Sequence, residues 1–101
     1  MGINTTVTGN TASINMTGRF DFHVQREFKE AYDPLLNNVA VAVVEVNLAG
    51  VEYLDSSALG MLLMLRERVT GANKSMKLCR PSASVAQILE IANFAKLFTI
   101  E

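Results

Sequence analysis

The chain has 101 residues and a mass of 11.0 kDa; half of it is hydrophobic, 19% is charged, and 10 acids against 9 Lys and Arg leave a formal net charge of −1. That is the size of one domain, 1–101, able to bury about 65% of its unfolded surface, and near-neutral charge argues against a nucleic-acid binder that works by neutralising phosphates. The single cysteine, Cys79, excludes an internal disulfide framework and fits a reducing compartment, while the longest apolar stretch, 58–65, is too short to span a bilayer.

No charged segment followed by an apolar one opens the chain, so a cytoplasmic protein is expected. Met1, Gly2 and Thr6 match a myristoylation pattern, which we read as chance because the following residues have strand character. The glycosylation sequons at Asn4, Asn15 and Asn73 have no meaning in a cytosol.

Residues 3–8 and 12–17 are short, rich in Thr, Val and Ile, and separated by Gly9-Asn10, which predicts a hairpin. Gly18 is expected to end the second strand and Asp21 to cap a helix. Over 22–36, Val24, Phe28, Tyr32 and Leu35 recur at helical spacing with charges between them. Pro34 should end or kink that helix near Tyr32 or Asp33.

The β-branched run 39–48 predicts a strand buried on both faces or central in a sheet, followed by a connection over 50–54. Asp55-Ser56-Ser57 then start a second helix running to Thr70 and closed by Gly71. Its core stripe is Ala58, Met61, Leu62, Leu65 and Val69. Leu59, Leu63 and Met64 flank that stripe, either covered by neighbouring elements or forming a partner surface beside the helix start.

Residues 76–80 predict a strand ended by Pro81. Ser84 and Gln87 fit a capping box for a third helix, and Asn93 fits its left-handed end. Residues 97–100 predict a last strand. The order β-β-α-β-α-β-α-β implies an α/β fold, a mixed sheet packed with helices.

Few residues are suited to catalysis. His23 is the only histidine and has no partners at metal-liganding spacing, so no metal and no cofactor are expected. Cys79 lies in a predicted core strand and reads as a small buried hydrophobe. No phosphate-binding glycine loop and no Gly-x-Ser-x-Gly motif occurs, so the chain is not expected to be an enzyme. What stands out is Asp55-Ser56-Ser57: three capping residues where a helix start needs one. An exposed hydroxyl at a helix N-terminus can accept a phosphoryl group without unfolding the domain. The phosphate would more than double the net charge of −1.

Val51-Glu52-Tyr53-Leu54-Asp55-Ser56-Ser57-Ala58-Leu59-Gly60-Met61-Leu62 resembles the signature of the STAS domain, the fold of bacterial anti-sigma factor antagonists. Gly18-Arg19-Phe20-Asp21 is similar to the family's glycine-x-hydrophobic-Asp, and the stretch from Val85 through Phe98 to its C-terminal helix and following Leu-Phe. Asn93 departs from the glycine common there. The chain also stops where many relatives continue into a final helix, which puts in doubt any interface built from that helix and leaves apolar surface open to weak homodimerisation.

The resemblance implies a binding module. Unphosphorylated, it binds an anti-sigma factor that is often a serine kinase; phosphorylation of the serine after the motif aspartate, here Ser56, releases it, and a PP2C-like phosphatase restores it. Asp55, Ser57, Leu59 and Gly60 would shape the contact surface, with Leu63 and Met64 beside them. The alternative is a constitutive STAS subunit of a membrane ABC transporter. A small-ligand sensor is a third class, for which the sequence names no ligand.

Overall fold

The computed structural model describes residues 2–101. The order of elements is β1 (Gly2–Thr8), β2 (Thr11–Phe20), a 3-10 turn (Phe22–Val24), α1 (Gln25–Leu36), β3 (Val43–Leu54), α2 (Ser56–Gly71), β4 (Ser75–Cys79), α3 (Ala83–Ile91), a second 3-10 turn (Phe94–Lys96) and β5 (Thr99–Ile100). The five strands form one sheet in sequence order, antiparallel at β1–β2 and parallel thereafter. This is the mixed α/β sheet expected. Met1 of the myristoylation pattern lies outside the described residues.

Right-handed crossovers between successive parallel strands carry α1 and α2 to one face of the sheet. There Ile14, Met16, Val44, Val46 and Leu78 are buried beneath Phe28, Leu62 and Leu65. Phe20, Phe28 and Tyr32 form a run of tilted and edge-on rings, with centroids 5.1 and 5.3 Å apart. At the C-terminus, Phe94 stacks on Phe98, and the Arg66 Nε–H donates to the Leu97 carbonyl at 2.9 Å.

Several boundaries differ from the sequence expectations. Strand β2 does not end at Gly18 but continues to Phe20, with Gly18 at φ +92° at an irregularity in the ladder. Strand β3 begins at Val43, leaving Val39 fully exposed, and continues through 50–54 instead of ending at Leu48. It carries an extra residue relative to β2 twice, so its buried positions change from Val44, Val46 and Leu48 to Val51 and Leu54. That loss of alternation makes the second half read as a loop. Gly50 is required where the strands come together: a Cβ there would lie 2.6 Å from the Thr17 methyl and 2.9 Å from the Met16 carbonyl.

Pro34 lies inside α1, which reaches Leu36 and closes with Asn37 N–H on the Asp33 carbonyl. The missing proline bond falls near the helix end, and Leu35 beyond it is buried. Helix α2 includes Gly71; the left-handed residue after it is Asn73, at φ 61°. Helix α3 is capped by Ser82, whose Oγ accepts the Val85 N–H at 3.3 Å, not by Ser84, which falls in the first turn. Asn93 takes the expected left-handed conformation, at φ 60°. The last strand is shorter than expected because the Leu97 and Phe98 N–H groups both donate back to the Phe94 carbonyl, continuing the turn begun by the 3-10 segment 94–96.

The other face of the sheet carries a polar layer. Glu45 accepts hydrogen bonds from the Ser13 hydroxyl and, at 3.5 Å, from the Cys79 thiol, with Lys77 and Arg80 each 3.7 Å away. Cys79 is thus buried as expected, but beside a carboxylate and outside the main core. Asn47 Nδ2 donates to Asn15, and Asn15 Nδ2 donates to Asn4. The Ser13 hydroxyl above all holds the Glu45 carboxyl below the ordinary glutamate value of 4.5, outweighing partial desolvation; Cys79, Lys77 and Arg80 help.

A depressed folded-state pKa adds stability that is present above the unfolded value and lost as pH falls through the folded one. Glu45→Gln should therefore lower stability at neutral pH. In denaturant titrations, the gap from wild type should close as pH falls below 4.5.

Candidate functional site

The expected site lies where β2 and β3 end side by side. The Asp55 N–H donates to the Phe20 carbonyl at 3.4 Å, fixing the start of α2 against the end of β2. Asp55 has extended backbone, and its Oδ1 accepts the Ala58 N–H at 2.9 Å. Its carbonyl accepts the Leu59 N–H at 3.1 Å, the first turn of the helix. A single residue therefore provides the side-chain cap. Ser56 and Ser57 occupy the first two helical positions, and both are exposed.

Asp21 repeats this arrangement one strand over. Its backbone is extended, and its carboxylate accepts the His23 N–H at 3.0 Å, capping the 3-10 turn ahead of α1 rather than α1 itself. Although partial desolvation opposes it, the His23 amide and ring, together with Arg19, hold the Asp21 carboxyl below its ordinary value. His23 itself is a surface residue, its ring tilted by 31° against that of Phe22 with centroids 4.1 Å apart. Two aspartate-capped helix starts thus sit together at the carboxyl ends of adjacent parallel strands.

Helix α2 sorts the remaining residues by face. Ala58, Met61, Leu62, Leu65 and Val69 are buried, as the stripe predicts. Leu59 and Leu63 are half-buried and pack against the core. Met64 turns outward, 49% exposed. Gly60 is exposed, and nothing lies within 4 Å of where its Cβ would be. No packing reason for a glycine exists there, although glycine costs a helix interior about 1 kcal/mol relative to alanine.

Sequence reasoning missed several neighbours. Phe22 is 59% exposed beside the α2 start. Tyr53, 41% exposed, lies under the Arg19 guanidinium at 4.7 Å from the ring centroid. The crossing of β2 and β3 brings these residues together, and no spacing along the chain announces it. Among the described residues, no helix is long and apolar enough to cross a membrane.

Residues 3–99 match the family model described as Mlab, STAS domain. A STAS-domain containing protein of Pseudomonas aeruginosa (strain UCBPP-PA14) is 42% identical over 92 residues, covering 91% of this chain and 89% of that protein. The fold is similar to that of the unphosphorylated anti-sigma factor antagonist SpoIIAA (TM-score 0.75, 18% identity, 99% of this chain and 87% of that one). It is equally similar to the phosphorylated form of SpoIIAA from Bacillus (TM-score 0.74, 18% identity, 99% and 91%). A sulfate transporter family protein from Wolinella succinogenes also shares it (TM-score 0.75, 16% identity, 91% and 74%).

The division of labour at the α2 start makes distinct stability predictions. In urea titrations, Asp55→Ala should cost about 1 kcal/mol through loss of the cap. Ser56→Ala should change stability by no more than about 0.5 kcal/mol, as for an exposed position without a structural role. A larger loss at Ser56 would make it part of the cap.

Proposed function

The chain belongs to the STAS domain family, and from that premise we propose that it is a phosphorylation-switched anti-sigma factor antagonist acting in the cytoplasm. The observation that carries this reading is the exposed Ser56 hydroxyl at the first position of α2, with Asp55 alone serving as cap. A residue that holds nothing in the fold is free to be modified.

Unphosphorylated, the protein docks an anti-sigma factor or serine kinase over Asp55, Ser56, Ser57 and the outward side of α2. Gly60 lets the partner backbone approach closely, Met64 supplies apolar contact, and Leu59 and Leu63 border the surface. A phosphate on Ser56 adds about −1.5 to −2 charge. The α2 N-terminus tolerates it within the chain. The partner, however, would meet like charge next to Asp55 and Asp21, together with a strongly hydrated group. Binding is lost while the fold stays, and a PP2C-like phosphatase restores the binding state.

The second reading, a constitutive subunit of a membrane transporter complex, is favoured by the fold shared with the sulfate transporter family protein. The two readings differ in whether Ser56 is modified.

Intact-mass measurement after incubation with kinases of the same cell should show one added phosphate, absent in Ser56→Ala. Ser56→Asp should weaken the partner complex with little change in melting temperature. Absence of any phosphorylation, together with stable co-purification of a transporter, would overturn the switch in favour of the second reading.

The surface itself separates neighbouring residues. Leu63→Glu should destabilise the fold by about 2 kcal/mol or more, because it places a charge against the core. Met64→Glu should leave stability within about 0.5 kcal/mol yet impair binding. Gly60→Ala should stabilise the helix by about 0.5–1 kcal/mol while weakening the complex, measured by thermal melts and calorimetric titration side by side.

A further inference from the structure

Helices α1 and α2 leave a groove of about 430 Å³ between them. That volume lies in the range of small-molecule sites, about 300–1,000 Å³. Its wall is apolar, made by Phe22, Phe28, Met61 and Met64, of which Phe22 and Met64 are large side chains left uncovered by the fold. Methionines suit such a wall because their unbranched, polarisable chains adapt to a ligand.

The groove is charged at one end. Both helices follow parallel strands and run in the same direction, so Phe22 and Gln25 lie toward Ser57 and Gly60, and Lys29 and Tyr32 toward Met64 and Arg68. Lys29 is paired with Asp33 at 2.6 Å. Arg68 makes no ion pair among the described residues, so it is the uncompensated charge of the groove. Arg68 follows Ser57 by eleven residues, about 16 Å along the helix at 1.5 Å per residue. The groove is therefore elongated, apolar through its middle, cationic at the Arg68 end and bounded by the uncharged Gln25 and Ser57 at the other.

We propose that this groove binds an amphipathic monoanion, a medium-chain alkyl carboxylate. The carboxylate meets the Arg68 guanidinium, whose planar fork matches a carboxylate bidentately, with Lys29 beside it. The alkyl chain runs along Met64, Met61 and Phe22 toward Gly60, and its burial supplies the apolar part of the affinity. An inorganic anion makes no use of the apolar wall, an alkyl amine is repelled by Arg68, and a neutral alcohol forgoes the charge. The groove site does not depend on the anti-sigma reading, although it shares Ser57, Gly60 and Met64 with the proposed docking surface.

The full chain, labelled at its methionine methyl groups, tests this by NMR titration with dodecanoate, dodecanol and dodecylamine below their micellar concentrations. Dodecanoate should shift the Met61 and Met64 methyls saturably and leave that of Met76, on β4 and outside the groove lining, unmoved. Arg68→Glu should weaken dodecanoate about tenfold or more, and the milder Arg68→Gln should weaken it less. An unshifted Met16 methyl in each variant reports an intact fold. Equal binding of dodecylamine, unchanged affinity in Arg68→Glu, or no saturable shift at Met61 and Met64 would overturn the proposal. None of these outcomes bears on whether Ser56 is phosphorylated.

Discussion

The parallel pairing of β2 with β3 is the constraint on which the rest depends. It runs from Thr11 opposite Val43 to Phe20 opposite Leu54 and survives two extra residues in β3. Because it reaches Leu54, the two strands end together, and Asp21 and Asp55 leave the sheet next to each other. The Asp55 N–H on the Phe20 carbonyl is the last link of that ladder and the first of α2. Had β3 stopped at Leu48, the segment before Ser56 would be a loop and its hydroxyl would have no fixed place. Gly50 makes the pairing sterically possible, since any Cβ there would enter the Thr17 methyl and the Met16 carbonyl.

Rigidity and exposure are separated across one peptide bond. Asp55 is tied twice, through its amide to β2 and through its carboxylate to the Ala58 N–H. Ser56, the next residue, is exposed at the first helical position. A group held on a rigid element but not needed by it can change charge without a folding penalty, because the helix N-terminus already favours negative charge. Under the proposed switch, the cost of that charge falls on the docked partner.

The apolar character of α2 beyond its core stripe has two physical origins. Leu59 and Leu63 are packed at the margins of the core. Met64 and Gly60 face outward, the first as an uncovered apolar side chain and the second as a glycine with open space above it. The opposite face of the sheet shows the contrary solution: its polar groups, directed away from the core, are joined into a layer around Glu45 and the Asn4, Asn15 and Asn47 amides. One face of the sheet thus carries a hydrogen-bonded layer and the other is covered by packing, with Phe22 and Met64 left open on the α1–α2 side.

The sequence by itself determined the element order, the helix stripes, the buried Cys79, the left-handed Asn93 and the Asp-Ser-Ser helix start. Each of these rests on local chemistry: period, capping geometry and tolerance of positive φ. It misjudged elements governed by partners distant along the chain. The second half of β3 lost its alternation to bulges that only β2 explains, and Pro34 stayed in a helix that buries Leu35 beyond it. Ser82 took the cap expected of Ser84. Of the site, the residues of one segment were legible. That Asp21, Phe22, Tyr53 and Arg68 are its neighbours was not, because strand pairing and helix packing, not spacing in the chain, bring them to one end and one side of the molecule. Only the tertiary structure decided that Leu63 packs inward while Met64 faces out, since both are simply apolar in a helix and the difference lies in what stands opposite them.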